Sequence, residues 1–199
     1  MRGSILESNW VRLALIVTVA VLLVSGVLYY LLVLAPALSV GPIKDPAGDV
    51  LLNLGSNYPG MVDIVGGSLE EGGNTMNVSV DVAEAVSGVN VGEFARWDVT
   101  LVLENGSDVL GTFELHVEIN ATGFFGVVQN LEDESSKPCQ VNSHGNTLTA
   151  VVVFDRPENP ERAEWRIIST YEKFSGEELI ASSYDFAPDN GMQTTVFED

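Results

Sequence analysis

The chain has 199 residues and a formal net charge of −19, enough length for one ordinary domain plus an additional segment. Beyond residue 40, 27 acidic residues stand against seven basic ones, which gives that part a formal charge of −20. Such a surface repels nucleic acid and anionic lipid headgroups, so DNA and RNA are excluded as partners. It suits divalent cations, basic partners or a salt-rich medium, although the charge could equally serve only solubility.

An apolar run without formal charge extends over residues 13–35. A helix needs roughly 20 apolar residues to cross a bilayer, so this run predicts a transmembrane helix in contact with the lipid bilayer. Trp10 precedes it, and Tyr29 and Tyr30 lie near its far end, as is typical of interfacial aromatic residues. The alternative is a cleaved secretory signal ending at Ala35-Pro36-Ala37, although signal cores run only about 7–15 residues.

The charges that flank this run predict its orientation. Arg2, Arg12 and the α-amino group precede it, against the single acid Glu7, and positive charge is retained in the cytoplasm. We therefore expect residues 1–12 to be cytoplasmic and the acidic part to lie outside the cell membrane, as in a single-pass protein. A cleaved signal would deliver the acidic part to the same side.

Residues 36–60 contain four prolines and four glycines, and they predict a linker and domain entry, with the module beginning near residue 43. Over residues 61–199 the apolar residues alternate with polar ones, as in Met76-Asn77-Val78-Ser79 and Trp97-Asp98-Val99-Thr100. This period of two is typical of half-buried strands. The pattern predicts an all-β fold, a jelly-roll-like sandwich of about 8–10 strands with little helix outside the membrane.

One hairpin register follows from matching strand faces around Asn105-Gly106-Ser107. Pairing Trp97 with Leu115 keeps the apolar faces together and leaves those three residues as the loop. The same register places Asp98 opposite Glu114 and Arg96 opposite His116. Like charges directly opposite are unfavourable unless Arg96, a cation or solvent neutralises them.

Aspartate-rich turns stand at both ends of the acidic part. Calcium takes six to eight oxygen ligands, and loops of Asp, Asn and Gly supply them. If the two ends meet in space, they could form a calcium site, and no other cofactor is required; otherwise Asp, Pro and Gly act only as turn formers. The candidate metal ligands are Asp45, Asp49, Asp63, Asp185, Asp189 and Asn190.

No motif for catalysis is present: the chain lacks a Gly-x-Ser-x-Gly elbow, a His-Glu-x-x-His zinc motif and a phosphate-binding glycine loop. His116, His144 and Cys139 could in principle cooperate, but unassigned surface histidines are far commoner. We therefore predict that the protein is not an enzyme. The single cysteine excludes an intramolecular disulfide. Three sequons could carry glycans in an exported domain, at Asn77, Asn105 and Asn120.

Four short motifs follow one another along the acidic part: Asp-x-x-Gly-Asp at residues 45–49, Asp63-Ile64-Val65, Trp165-Arg166-Ile167 and the closing residues 185–191. Their order resembles a β-sandwich module of archaeal and bacterial surface proteins. Over about residues 43–192 the layout is similar to the DOMON and family 9 carbohydrate-binding module group. The resemblance implies a jelly-roll-like sandwich exposed outside the cell, in a group whose members bind sugars or haem. The two histidines and scattered methionines do not favour haem.

These observations together predict a membrane-anchored, extracytoplasmic binding or interaction module. It could be stabilised by calcium, and its partner would be an envelope glycan or another protein. The alternative is a structural subunit of a cell-surface assembly, in which the sandwich packs against its neighbours. Trp97 and Trp165 alternate with polar residues and are predicted to lie in the core rather than on a sugar-binding surface.

Overall fold

A computed structural model describes residues 41–55, 57–154, 159–189 and 191–197. These residues belong to one compact unit, Val40–Asp199. The predicted transmembrane helix over residues 13–35 lies outside the described residues. Within the ranges that are described, no helix combines the length and the apolar character needed to span a bilayer.

The described part of the chain is all-β, as its alternating pattern predicts, with one short 3₁₀ turn at Gly60–Val62. It contains more strands than the predicted 8–10, because short strands such as β1 and β8 show no full period of alternation. The strands are β1 (Ile43–Lys44), β2 (Leu51–Leu54), β3 (Ile64–Glu71), β4 (Thr75–Val82), β5 (Glu93–Asn105), β6 (Asp108–Asn120), β7 (Gly123–Asn130), β8 (Ser136–Pro138), β9 (Gln140–His144), β10 (Thr147–Val153), β11 (Arg162–Ser175), β12 (Glu178–Ala187) and β13 (Gln193–Val196).

These strands form two sheets, consistent with a β-sandwich. The five-stranded sheet has the order β1-β3-β4-β10-β9, and the eight-stranded sheet has the order β2-β12-β11-β5-β6-β7-β8. β13 also belongs to the eight-stranded sheet. It pairs with the beginning of β11 at Arg162–Trp165, next to the stretch of β11 that pairs with β12. The first and last described strands thus both join the sandwich, and β1 and β2 lie within the segment predicted as linker and domain entry.

The core lies between the sheets and follows the alternation of each strand. Trp97 and Trp165 are fully buried, in agreement with their predicted place in the core. The Trp165 indole N–H donates to Thr195 Oγ1 at 3.0 Å, which ties β11 to β13. Large apolar side chains buried with them include Ile64, Met76, Val78, Leu101, Leu103, Leu115 and Ile167.

The predicted register of the β5–β6 hairpin is wrong by two residues, although the faces are as predicted. Trp97 pairs with Val117 instead of Leu115. The structure closes the hairpin more tightly, pairing Asn105 with Asp108, and a bulge between Leu103 and Glu104 then restores the matching of faces. A bulge adds one residue to one strand, so alternation alone does not reveal it.

The corrected register removes the predicted opposition of Asp98 and Glu114. Asp98 pairs with His116 instead, and its Oδ1 lies 2.5 Å from His116 Nδ1. Arg96 pairs with Glu118 rather than with His116, at 3.5 Å between Nη2 and Oε2. Asp98 and Glu118 therefore lie opposite His116 and Arg96 respectively, rather than opposite another acid.

Gly67 in β3 marks a close approach between the two sheets. A Cβ at this position would lie 2.9 Å from both Ile167 Cδ1 and the Ser79 carbonyl oxygen, and 3.1 Å from Trp165 Cη2. Because the carbonyl belongs to the backbone, Gly67→Ala is expected to lower stability by about 1–3 kcal/mol, seen as a lower urea midpoint of the full chain in detergent. Gly88→Ala is the matched control, because its Cβ would meet nothing within 4 Å. Equal midpoints for the two variants would contradict this packing.

Candidate functional site

The entry segment of the domain is held between β3 and β13. Gly41 N–H donates to the Thr194 carbonyl oxygen at 2.7 Å, and Asp45 N–H donates to the Val65 carbonyl oxygen at 3.2 Å. The turn that follows β1 needs the positive φ of Gly48, which is 91°. This path carries Asp45 and Asp49 to the edge of the five-stranded sheet, close to its partner sheet.

Asp185 reaches the same place from β12, where it occupies an inward position of the eight-stranded sheet. It is 2% exposed. Its Oδ2 accepts the Ile64 N–H at 2.7 Å, and its Oδ1 accepts the Phe186 N–H at 2.9 Å. Since Ile64 begins β3, this carboxylate ties the two sheets together.

The three carboxylates converge: one oxygen each from Asp45, Asp49 and Asp185 lies within 4.8 Å of the others. The calcium site predicted from the sequence depends on the two ends of the domain meeting in space. The structure brings Asp45 and Asp49 from one end together with Asp185 from the other. Asp63 lies beside them, 4% exposed, and its Oδ2 accepts the Gly48 N–H at 2.8 Å. We call these four residues the aspartate centre.

The aspartate centre contains buried oxygens that lack partners. Asp45 Oδ2, Asp49 Oδ1 and Asp63 Oδ1 are shielded from solvent and accept no hydrogen bond within the described part of the chain. No Lys or Arg of the described residues forms an ion pair with any of the four carboxylates. A buried carboxylate oxygen without a partner is costly, so the site is suited to a bound cation.

Burial, together with neighbouring negative charge, raises the pKa values of Asp45 and Asp185 in the aspartate centre. Burial, and then the charges of Asp185 and Asp49, raise the pKa of Asp45 to about 7. Burial also raises the pKa of Asp185 to about 6, although the hydrogen bonds from Ile64 and Phe186 act in the opposite direction. Without a cation, part of this site therefore holds a proton near neutral pH.

Of the remaining predicted ligands, only Asp189 can be placed. Asp189 is exposed, and its charge contributes to the raised pKa of Asp45 without its oxygens joining the three that converge. Asn190 lies outside the described residues. Of the predicted glycosylation sites, Asn77 is exposed on β4, whereas Asn105 ends β5 and is half-buried. Asn120 Oδ1 accepts hydrogen bonds from both the amide and the hydroxyl of Thr122.

A second buried polar group, around Glu93, was not predicted from the sequence. Glu93 begins β5 on its inward face and is only 9% exposed, and its Oε1 lies 2.8 Å from Lys173 Nζ. Its Oε2 accepts hydrogen bonds from the backbone and side-chain nitrogens of Asn90. The alternation of Glu93, Ala95 and Trp97 could have indicated this group, because it places the Glu93 carboxylate on the inward face of the strand.

Comparison with protein-family models found no match, and comparison with curated proteins found none either. Among solved structures, the chain is similar to a family 9 carbohydrate-binding module from Caldicellulosiruptor kristjanssonii in complex with cellotriose. The two share 13% sequence identity at a TM-score of 0.37, over 79% of this chain and 90% of that one. Similarity at this level is a coarse likeness of fold and says nothing about the ligand of this chain.

Proposed function

We propose that the protein is an extracytoplasmic binding module, anchored in a cell membrane by residues 13–35, whose acidic sandwich is stabilised by calcium at the aspartate centre. The observation that carries the proposal is the convergence of Asp45, Asp49 and Asp185, whose oxygens lie within 4.8 Å of one another. The apolar run and its flanking charges support the anchor. The partner outside the cell would be an envelope glycan or another protein.

The spacing of the carboxylates supports calcium. Calcium–oxygen distances are about 2.3–2.6 Å, so two ligands of one ion are at most about 4.6–5.2 Å apart, when they lie on opposite sides of it. The three carboxylate oxygens lie within 4.8 Å of one another, so a single calcium ion could contact all of them. Magnesium binds at about 2.0–2.1 Å and usually keeps several waters, which makes a set of converging buried carboxylates less suited to it. Asp63 Oδ1 and water could complete the calcium shell.

The surroundings of Cys139 and His116 also favour a binding role over catalysis. Burial raises the pKa of the Cys139 thiol, which keeps it in the less nucleophilic form. His116 lies between Asp98 and Glu114, at 2.5 and 3.7 Å, on the other side of the sheet from the core. Cys139 packs against the core whereas His116 lies on the outer face of its sheet, and we propose no catalytic step for the chain.

Calcium is expected to raise the melting temperature of the full chain in detergent, whereas EDTA should lower it. A ligand that binds only the folded state at 100 times its Kd adds about 2.7 kcal/mol, which corresponds to about 5–10 °C for a domain of this size. Differential scanning fluorimetry in calcium, magnesium and EDTA measures the effect. A melting temperature that is the same in calcium and EDTA would remove calcium from the proposal.

A further inference from the structure

A cleft of about 360 Å³ opens between the two sheets. Residues of β6, β7 and β8 in the eight-stranded sheet line it, together with the end of β10 in the five-stranded sheet. Its volume is within the range of about 300–1,000 Å³ that is usual for ligand sites. The strands next to the aspartate centre, β1 and β12, lie toward the opposite edge of each sheet, so the cleft is separate from that centre.

Apolar side chains that are only partly covered form a wall of the cleft. Val153, the last residue of β10, is 48% exposed, and Leu110 and Phe113 of β6 are partly buried at the margin of the core. The Phe113 ring packs edge-to-face against the buried Phe154, with 4.7 Å between the ring centroids, and this contact fixes its position. Apolar surface that remains uncovered in a cleft with a polar rim favours insertion of an apolar group from a partner.

An acidic loop stands beside the cleft. Residues 132–134 are Glu-Asp-Glu and all three are exposed, and Asp133 lines the cleft itself. Hydrogen bonds from Ser135 lower the pKa of Asp133, which is therefore charged at neutral pH. Of the described residues that line the cleft, Lys137 is the one with a positive charge, and it offsets one of the three acids. The rim thus keeps an excess of negative charge.

Backbone hydrogen bonds hold this loop in place before a partner arrives. Asn130 N–H donates to the Ser135 carbonyl oxygen at 2.8 Å. Leu131 N–H donates to the Thr112 carbonyl oxygen at 2.9 Å, which ties the loop to β6. Asn130 Oδ1 in turn accepts the Glu132 N–H at 2.9 Å. A loop that is already ordered loses little conformational entropy on binding, so its charges can contribute to affinity.

The charge of the chain indicates what kind of partner fits the cleft. A second copy would bring another acidic part of formal charge −20, and it would be repelled, as would anionic lipid and nucleic acid. A basic partner would be attracted by the acidic part as a whole and held by residues 132–134 at the cleft. The apolar wall requires in addition that this partner present a bulky apolar side chain among its basic residues.

We propose that the cleft between Val153, Phe113 and residues 132–134 binds a basic segment of another protein, which inserts one bulky apolar side chain. This inference deepens the proposed function and rests on it, since it takes the chain to be a binding module and names the partner by its chemistry. It does not depend on calcium, because the aspartate centre lies elsewhere in the sandwich.

The test measures fluorescence anisotropy of short peptides that carry the same neutral dye. The full chain is held in phosphatidylcholine nanodiscs in EDTA, with empty nanodiscs as the blank, so that neither free detergent nor anionic lipid competes. The probes are amidated peptides Arg-Lys-x-Lys-Arg with Phe, Leu or Trp at x, compared with Arg-Lys-Ser-Lys-Arg and Glu-Asp-Phe-Asp-Glu. We expect at least one of the three probes to bind about tenfold or more tightly than the serine peptide. Its binding should weaken between about 0.05 M and about 0.5 M NaCl.

The apolar wall is tested by Val153→Lys, which should weaken binding of the best probe about tenfold or more because it places a positive charge on that wall. Val196→Lys is the matched control. It makes the same change in net charge at another strand position, which is 56% exposed and does not line the cleft. Melting curves of both variants separate loss of the partner from loss of the fold.

The acidic rim is tested by the double variant Glu132→Gln/Glu134→Gln, which should weaken binding about threefold or more at low salt. Glu177→Gln/Glu178→Gln is its matched control, since these two acids are also adjacent and exposed but belong to the β11–β12 hairpin. An equal effect of the two double variants would show that the rim does not hold the partner, and would overturn the site.

The remaining outcomes separate this inference from the calcium proposal. The cleft is overturned if none of the three probes binds, if the serine or the acidic peptide binds as tightly, or if Val153→Lys folds and binds like the wild type. Calcium stabilisation still stands in these cases if calcium raises the melting temperature. If the probes bind as expected and calcium has no effect on melting, the cleft stands without the calcium site.

Discussion

Asp45→Asn is expected to abolish most of the calcium-dependent rise in melting temperature while leaving the calcium-free chain at least as stable as the wild type at pH 8. Asp45 supplies one of the three converging oxygens. Loss of a residue that only supports a metal ligand weakens metal binding by about 10–100-fold. Loss of a direct ligand should therefore weaken calcium binding by at least about 100-fold. At a calcium concentration that adds about 2.7 kcal/mol to the wild type, the variant would gain only about 0.4 kcal/mol.

In EDTA the same substitution acts in the opposite direction, because it removes a carboxylate whose charge is disfavoured by partial burial and by the neighbouring aspartates. Asp108→Asn is the matched control: it makes the same change in net charge at an exposed position of the β5–β6 hairpin. Scanning fluorimetry across a calcium titration gives, for each chain, the melting temperature without calcium and its rise with calcium. A variant that kept the wild-type calcium response would show that Asp45 is not a ligand.

In EDTA, the melting temperature of the wild type is expected to fall as the pH rises from about 5 to about 8. The pKa of Asp45 is raised to about 7 and that of Asp185 to about 6, chiefly by burial, from an ordinary value of 3.8. The folded state keeps protons that the unfolded chain has already released, so stability declines from about pH 4 to about pH 7 and then levels off. The melting temperature should fall by more than about 3 °C. In a domain of this size, that shift corresponds to a loss of ~1 kcal/mol in the free energy of unfolding.

The range starts at about pH 5 so that Glu93 does not contribute, because a carboxyl with a lowered pKa changes stability only at lower pH. Asp45→Asn should show a smaller fall, and saturating calcium should remove most of it, since the bound ion keeps the carboxylates ionised. Melting curves in EDTA and in calcium at matched ionic strength measure both effects. A wild-type melting temperature that rose between these pH values would contradict the raised pKa values.

The fold was predictable from the sequence where long strands alternate. In β4, and in β5 from Ala95 to Leu103, every second side chain is apolar and buried, so the sequence indicates both the strands and their inner faces. Trp97 and Trp165 could be placed in the core on the same grounds. Alternation carries no information about bulges or two-residue strands, which explains the error in the β5–β6 register and the absence of β1 from the prediction.

The aspartate centre was predictable in its residue types and less so in its geometry. Turns rich in Asp and Gly at both ends of the domain pointed to Asp45, Asp49 and Asp185 as oxygen ligands. Their convergence depends on β1 pairing with β3 and on Asp185 of β12 reaching the beginning of β3, and these are long-range contacts that no local pattern encodes. The Glu93–Lys173 pair is likewise a contact between β5 and β11, 80 residues apart.

The short strand β1 has a mechanical consequence. It joins the five-stranded sheet through only two residue pairs, Ile43 with Gly67 and Lys44 with Gly66. A force applied through the N-terminal side of the chain reaches the hydrogen bonds between Gly41 and β13 and then this strand, whose two pairs would separate under little load. A cation shared by Asp45 and Asp185 would pass that load directly to β12, 140 residues further along the chain. The ion would then set the tension at which a tethered domain begins to unravel.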